Sequence, residues 1–444
     1  MPGISWPALP SPQGAADLAL QFQLDRTQWL SADALRAEQM RQLAVVMRHC
    51  WDTVPHYRER LAFAGYVPET IAVEEMLSRL PVLTRAEVQA AGDALLSRAV
   101  PAEHGPLFHG ETSGATGRPV SYCTTRANAA FWRAGTLRDH SWHGRDFGGK
   151  LAAIRYLAGS REREAFAGWG VATDAAYRTG PSVVLSIHAP VSVQLEWLVR
   201  EAPDYLLTYP SNLEALAEAS RRSGMKLSRL REVRTMSEVV NPELRALVRE
   251  VWGVPLADAY SAEEVGYIAL QCPDHEHYHV QSENLIVEVL DDEGRPCPPG
   301  ESGRVVVTAL HNFAMPLLRY ELGDYAVAGA PCRCGRGLPV LQRILGRVRN
   351  MLRLAGGERY WPMLGTRGFA RLAPVLQHQF VQTAYDRLEL RIVAARPLTS
   401  GEEAALREHV TRRLPAPMQV DIRCCADIPR SAGGKFEDFV CALD

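Results

Sequence analysis

His109-Gly110-Glu111-Thr112-Ser113-Gly114-Ala115-Thr116-Gly117-Arg118-Pro119 sets three hydroxyl side chains, with Gly114 and Gly117 among them, immediately before a fixed proline. Such a segment turns tightly and aims backbone N–H groups and hydroxyls at one point, which suits a polyphosphate. Arg118 adds a cationic fork for phosphate oxygens. The same composition also describes an ordinary surface loop. It lacks the Gly-Lys-Ser/Thr ending of a P-loop, so that mechanism is set aside. Three later segments weigh toward phosphate.

A chain of 444 residues exceeds what one hydrophobic core usually supports, so two or more folding units are expected. With 47% hydrophobic and 23% charged residues, a globular protein in water is expected. The formal net charge of -2 argues against a general nucleic-acid or anionic-membrane surface and directs attention to a small-molecule partner. The opening residues have no basic region followed by an apolar one, and no later apolar run is long enough to span a bilayer, so a cytoplasmic location is expected. Nine thinly spread cysteines do not make a disulfide framework.

Residues 1 to about 20 are rich in Pro, Gly and Ala and read as a surface tail. From Ser31 to Trp51, Leu35, Leu43, Val46, Met47 and Cys50 recur at helical spacing, with Ser31 as the cap. A second helical piece follows through Arg60, and Thr84-Arg85-Ala86-Glu87 is a capping-box pattern. Strands and helices then alternate from 120 to 255. Asp204 to Tyr209 predicts a buried strand followed by a helix capped through Ser211 and Glu214. Asn241, Pro242 and Gly253 bracket another helix before a strand from Val254 to Tyr260. That alternation implies a parallel sheet under helices, with ligands beyond the carboxyl ends of the strands. A hairpin is expected from 284–290 and 303–308, and beyond residue 349 a compact mixed unit with strands at 385–394 and 418–424 and a helix capped by Thr399 and Glu402.

Tyr260-Ser261-Ala262-Glu263-Glu264-Val265-Gly266 places two carboxylates just past a strand end, where they could hold Mg²⁺ and organise nucleotide phosphates; a solvated acidic turn has the same letters. In Leu318-Arg319-Tyr320-Glu321-Leu322-Gly323-Asp324, the final carboxylate can accept from two ribose hydroxyls, and an ordinary Gly-Asp turn is the competing explanation. Pro429-Arg430-Ser431-Ala432-Gly433-Gly434-Lys435 delivers one lysine on a glycine pair. Separately, Cys272 and His275, with His277 and His279 close behind, and Cys332 and Cys334 supply zinc-ligand types on the flanks of the hairpin. One closed tetrahedral site from Cys272, His275, Cys332 and Cys334 would be structural, and spacing favours His275 over His279; reduced surface cysteines beside a loop histidine have the same letters.

In this order, the four chemical segments resemble the signatures of the adenylate-forming superfamily of acyl-CoA synthetases. The N-terminal Thr53-Val54-Pro55-His56-Tyr57-Arg58-Glu59-Arg60, the Leu80-Pro81-Val82-Leu83-Thr84 entry and Gly346-Arg347-Val348-Arg349-Asn350-Met351-Leu352 resemble its phenylacetate-CoA ligase branch. The resemblance implies an α/β fold: a large N-terminal core of helix-covered sheets with a β subdomain over residues 1–348, and a small mobile α+β domain over 349–444. It implies that Thr112, Ser113, Gly114, Thr116, Gly117 and Arg118 grip ATP phosphates, with Tyr260, Asp324 at the ribose and Arg347 also on the nucleotide. Glu264 would coordinate Mg²⁺, and Lys435 would act in adenylation.

Rotation about Arg349 would exchange that pose for one in which Gly356-Gly357-Glu358-Arg359-Tyr360-Trp361-Pro362 faces coenzyme A. The implied reaction joins a carboxylic acid, aromatic by analogy, to AMP and then to CoA. Transfer to an amine or a carrier-protein thiol, or a non-catalytic nucleotide-binding scaffold, remain as alternatives. Self-association as a homodimer is compatible with each. Some members of the branch carry a Cys/His zinc site. Ala115 and Arg118 replace a family Thr and Lys, Glu263 stands where Thr or Ser is common, and Arg349-Asn350 replaces an Asp-Asp pair.

Overall fold

A computed structural model of the chain describes residues 9–69, 72–112, 119–159, 161–347, 350–362, 364–431 and 434–443. It departs from the sequence reading first at the N-terminus, where the expected tail is a helix, Pro12–Thr27, capped by the Ser11 side chain accepting from Gly14 N. Its buried residues are Gly14, Asp17, Gln21 and Leu24, at helical spacing but mostly polar or small. Asp17 takes two hydrogen bonds from the Arg133 guanidinium at 2.7 and 2.9 Å, and Gln21 donates to Ser141 Oγ at 2.9 Å. A face that packs through polar partners leaves no hydrophobic period to detect.

The described chain divides into two compact units. The first comprises residues up to Gly149, Phe166–Ser182 and Asp258–Ile344. Helices Ala32–Thr53, Pro55–Phe63 and Arg85–Ala91 form as the caps foretell: Ser31 accepts from Ala34 N, and Thr84 and Glu87 close a full capping box. Leu43, Val46, Met47, Cys50 and Tyr57 pack with Val305, Val307 and Tyr320 in one core. The strands of this unit run antiparallel. Leu285–Leu290 pairs with Ser302–Ala309, which pairs with Tyr320–Ala328, and Gly266–Gln271 lies between Tyr278–Val280 and Leu256–Ala262.

The second unit comprises Lys150–Ala165, Val183–Ala257 and Leu345–Asp444. Here Leu151–Arg155, Tyr205–Thr208 and Glu232–Thr235 run parallel, as strand-helix-strand alternation requires. Helices Val191–Glu201, Pro210–Ser223 and Pro242–Trp252 bury Leu198, Leu213, Leu216, Leu244 and Val248 against Ala152, Leu206 and Val233. Asn241 caps the last of them, with proline at its start and Gly253 at its end. The expected capping of Pro210–Ser223 through Ser211 and Glu214 does not form. Tyr209 occupies the cap position without a side-chain bond, because Pro210 already fixes the first turn and Ser211 N is taken by Glu238 Oε2 at 2.9 Å.

A separate core gathers Leu352, Phe369, Phe380, Leu390, Leu406 and Phe439 under a four-stranded sheet ordered Gln419–Cys424, Arg387–Ala394, Val375–Ala384, Phe439–Cys441. Thr399 and Glu402 form the expected capping box on Ser400–Thr411. Strand Val375–Ala384 was not foreseen because glutamines interrupt it. Gln382, fully buried, spends its amide on Arg353 N at 2.9 Å and Arg353 O at 2.6 Å. The fold class is therefore the expected one: helix-covered parallel strands, an antiparallel β part and a small C-terminal α+β part.

Candidate nucleotide and metal sites

The strands on either side of the glycine-rich segment in sequence pair as a hairpin, Leu107–Glu111 against Ser121–Thr125. Residues Ser113, Gly114, Ala115, Thr116, Gly117 and Arg118 lie outside the described residues; Thr112 is described. Its Oγ1 accepts from Arg85 Nη2 at 3.1 Å and from Val120 N at 3.0 Å, so this hydroxyl closes the base of the loop. Gly110 pairs with Tyr122, and a Cβ at Gly110 would stand 2.5 Å from the tyrosine ring. That space lets the Tyr122 hydroxyl reach Glu263 Oε2 at 3.5 Å. Burial first, and then the charges of Glu263 and Glu264, push the Tyr122 phenol up.

Glu263 and Glu264 occupy the turn between Leu256–Ala262 and Gly266–Gln271, closed by Val265 N on Ala262 O at 3.3 Å and held by Asn284 Nδ2 on Val265 O at 3.2 Å. Glu264 is buried, and the Tyr320 hydroxyl lies 3.5 Å from its Oε1. What the described residues offer there is a buried carboxylate, the hard oxygen ligand type that Mg²⁺ takes alongside water and phosphate oxygens.

Asp324 reaches the same neighbourhood through a bulge. Between Arg304 and Val306 the register advances two residues on one strand, while between Tyr325 and Glu321 it advances four on the other. Gly323 takes up the bend at φ +81°, which other residues rarely adopt. Tyr260 then donates its hydroxyl to Asp324 Oδ2 at 2.8 Å. Three segments distant in sequence are so tied by phenols: Tyr122 to Glu263, Tyr260 to Asp324, and Tyr320 to Glu264.

Sequence reasoning assigned no role to the residues that support this strand. Arg319, buried at φ +49°, forms two hydrogen bonds to Glu288 at 3.0 Å each and donates to Ser78 O at 2.9 Å and Leu80 O at 2.7 Å. Leu83 N donates to Arg319 O, and Glu321 N to Leu83 O. Tyr57 Oη donates to Pro316 O at 3.0 Å and accepts from Leu318 N at 2.9 Å. The Tyr57 and Leu83 passages, quoted above only as family markers, are thus braces behind the Asp324 strand. Trp142 and Trp169 similarly spend their indole N–H groups inside the first unit, on Gln28 Oε1 and Gly149 O. Arg347 and Lys435 belong to the second unit. Arg349 lies outside the described residues.

The Cys/His residues converge. Cys272 Sγ and Cys332 Sγ each lie 3.5 Å from His275 Nδ1 and 4.0 Å from one another. With Zn–S about 2.3 Å and Zn–N about 2.0–2.1 Å, tetrahedral edges come to about 3.4–3.8 Å, so both S–N edges match zinc and the S–S edge is about 0.2 Å wide of it. Cys334 N donates to Cys332 Sγ at 3.3 Å, and Cys334 Sγ lies 3.3 Å from His279 Nε2. Cys272 and Cys332 also group with His277 and His279. His279, fully buried, turns Nδ1 to Leu338 O at 3.4 Å, the backbone contact that commonly orients a ligand imidazole. The alternation of His275, His277 and His279 was the signal for this larger donor set.

Residues 44–315 match the AMP-binding enzyme family, and residues 368–441 match the CapK C-terminal domain. The chain is 27% identical over 442 residues to a phenylacetate-coenzyme A ligase of Thermus thermophilus, covering 92% of this chain and 96% of that one. It is 27% identical over 349 residues to a phenylacetate-coenzyme A ligase of Pseudomonas putida, covering 77% and 76%. Its fold is similar to that of crystalline 2-hydroxyisobutyryl-CoA ligase in the postadenylation state, with a TM-score of 0.71 at 20% identity over 90% of this chain and 88% of that one.

Proposed function

The chain belongs to the AMP-binding enzyme family, and from that membership we propose that it is an AMP-forming acid–thiol ligase acting on an aromatic carboxylic acid. The acid's carboxylate oxygen attacks the α-phosphorus of ATP, the bond to pyrophosphate breaks, and acyl-AMP forms. The sulfur of coenzyme A then attacks the acyl carbon, the bond to AMP breaks, and the thioester and AMP leave.

The observation that carries this reading is the Tyr260–Asp324 contact at 2.8 Å beside the buried Glu264 turn. A carboxylate oxygen has two lone pairs, so Asp324 keeps acceptor capacity for ribose hydroxyls while Tyr260 holds its plane. Glu264 would hold Mg²⁺, which when bound offsets charge on the phosphates. Ser113, Gly114, Thr116, Gly117 and Arg118 would meet the phosphates over the base closed by Thr112, and Arg347 would contact the nucleotide. Lys435 would supply positive charge where the acid's carboxylate and the α-phosphate approach, which is where it stabilises the transition state most. Residues from 349 onward would move between the two half-reactions. The hairpin of Leu352–Arg353 with Arg359–Tyr360 is assigned to the CoA side of the second.

Zinc, held by Cys272, His275, Cys332 and Cys334 with His279 alongside, would staple the first unit and take no part in the chemistry. None of the nine cysteines is joined in a disulfide, which supports a reducing, cytoplasmic setting. The test is a panel of aryl and arylacetic acids with ATP and Mg²⁺, with and without CoA. Acid-dependent pyrophosphate release matched by acyl-CoA is expected; pyrophosphate without thioester would reject CoA as acceptor.

A further inference from the structure

Glu238 follows Ser237, one of the few non-glycine residues at positive φ (+69°), on the turn after strand Glu232–Thr235. A strained turn persists where it aims a side chain that matters. What it aims is a carboxylate only 8% exposed. Oε2 accepts from Ser211 N at 2.9 Å, in the first turn of Pro210–Ser223, the helix that lacks a side-chain cap. Oε1 accepts from Phe436 N at 2.6 Å. An anion at that helix end is favoured by the helix dipole.

Phe436 immediately follows Lys435. Arg430 grips the other side: its Nη1 donates to Gly434 O at 3.2 Å and to Ser211 Oγ at 3.0 Å, and lies 3.5 Å from Glu238 Oε1. The loop itself is closed by Ser431 N on Lys435 O and Gly434 N on Ser431 O, both 2.8 Å. Gly434, at φ +79°, packs so closely that a Cβ would stand 3.2 Å from Ile187 and Tyr156 and 3.3 Å from the Tyr209 hydroxyl. Lys435 is therefore bracketed by residues that Glu238 and Arg430 tie to one helix end.

We infer that Glu238 is a positioning residue for the lysine loop, clamping the backbone on either side of Lys435, with Arg430, to the first turn of Pro210–Ser223 for the adenylation half-reaction. This rests on the ligase reading above. A carboxylate suits the task because both of its oxygens accept, whereas an amide has one acceptor and would turn an NH₂ toward the second backbone N–H. The partners released on opening are mostly backbone groups, which water can satisfy, so the clamp can open for the thiol step.

Glu238→Gln tests it through three readouts: acid-dependent pyrophosphate release, thioester formation from synthetic acyl-adenylate with CoA, and tryptic cleavage after Arg430 or Lys435 in the free protein. Misplacement of the lysine should lower the adenylation kcat about 10- to 100-fold. KM values and the thioester step should stay within about twofold, and cleavage should quicken. Equal loss of both half-reactions with a lowered Tm would make Glu238 merely structural and overturn the inference. Should the parent protein adenylate no acid, the ligase reading falls, and proteolysis alone decides the clamp: equal cleavage rates reject it. If Glu238→Gln does not fold, Arg430→Gln, which leaves Glu238 in place, is judged by the same criteria with cleavage read after Lys435 alone.

Discussion

Replacing Tyr260 by phenylalanine removes one oxygen and leaves the ring, so it isolates the hydroxyl that meets Asp324 Oδ2 at 2.8 Å. A hydrogen bond to a charged acceptor contributes about 1.5–3 kcal/mol. Asp324 is only half-buried, so water can replace part of that, and the lower end, about 1.5 kcal/mol, is the better figure. If the bond orients the carboxylate for ribose, the loss appears in nucleotide binding as a KM for ATP raised about tenfold. The acid's KM should not move, and kcat should change little, because the ribose is remote from the bond being made. Initial rates of pyrophosphate release with ATP titrated at saturating acid measure this, with Tm as the control for folding. An unchanged KM for ATP in a folded Tyr260→Phe protein, alongside a large increase in Asp324→Ala, would refute the orienting role. A fall in kcat alone would place Tyr260 elsewhere in the chemistry.

Two further outcomes are expected. Protein purified from zinc-containing medium should hold about one zinc per chain by elemental analysis. Cys332→Ser should lose it with a lowered Tm, whereas Cys297→Ser should keep it; a metal-free parent of unchanged stability would end the zinc proposal. The second concerns pH. Burial holds the imidazoles of His311 and His378 down to about 4, against an ordinary 6.5. Between those values the unfolded chain binds more protons than the native one. Stability is thus complete above about pH 6.5, declines as pH falls toward 4, and loses nothing more from these groups below it. Replacing His378, which packs edge-on against Phe369, by Phe should flatten part of that decline in Tm measured from pH 7 to 4. An identical slope would show that His378 does not contribute.

Local signals determined what local physics controls. Ser31, Thr84, Asn241 with Pro242, and Thr399 with Glu402 each started a helix where the letters said, because a cap is a contact between residues three apart. The parallel strands followed from strand and helix alternation, and the chemical segments were legible as hydroxyl, carboxylate, thiol and imidazole clusters. Sequence was silent where a polar residue is buried against a distant partner. Asp17 finds Arg133, Gln382 finds Arg353, and Glu238 finds Phe436. Only the tertiary structure decided that Ser211 leaves its helix cap to Glu238, that Thr112 closes a loop base, and that Arg319 braces a strand. The reason is that a polar group's partner is fixed by which backbones burial brings together, and burial is a property of the whole chain, whereas capping and alternation are set within a few residues.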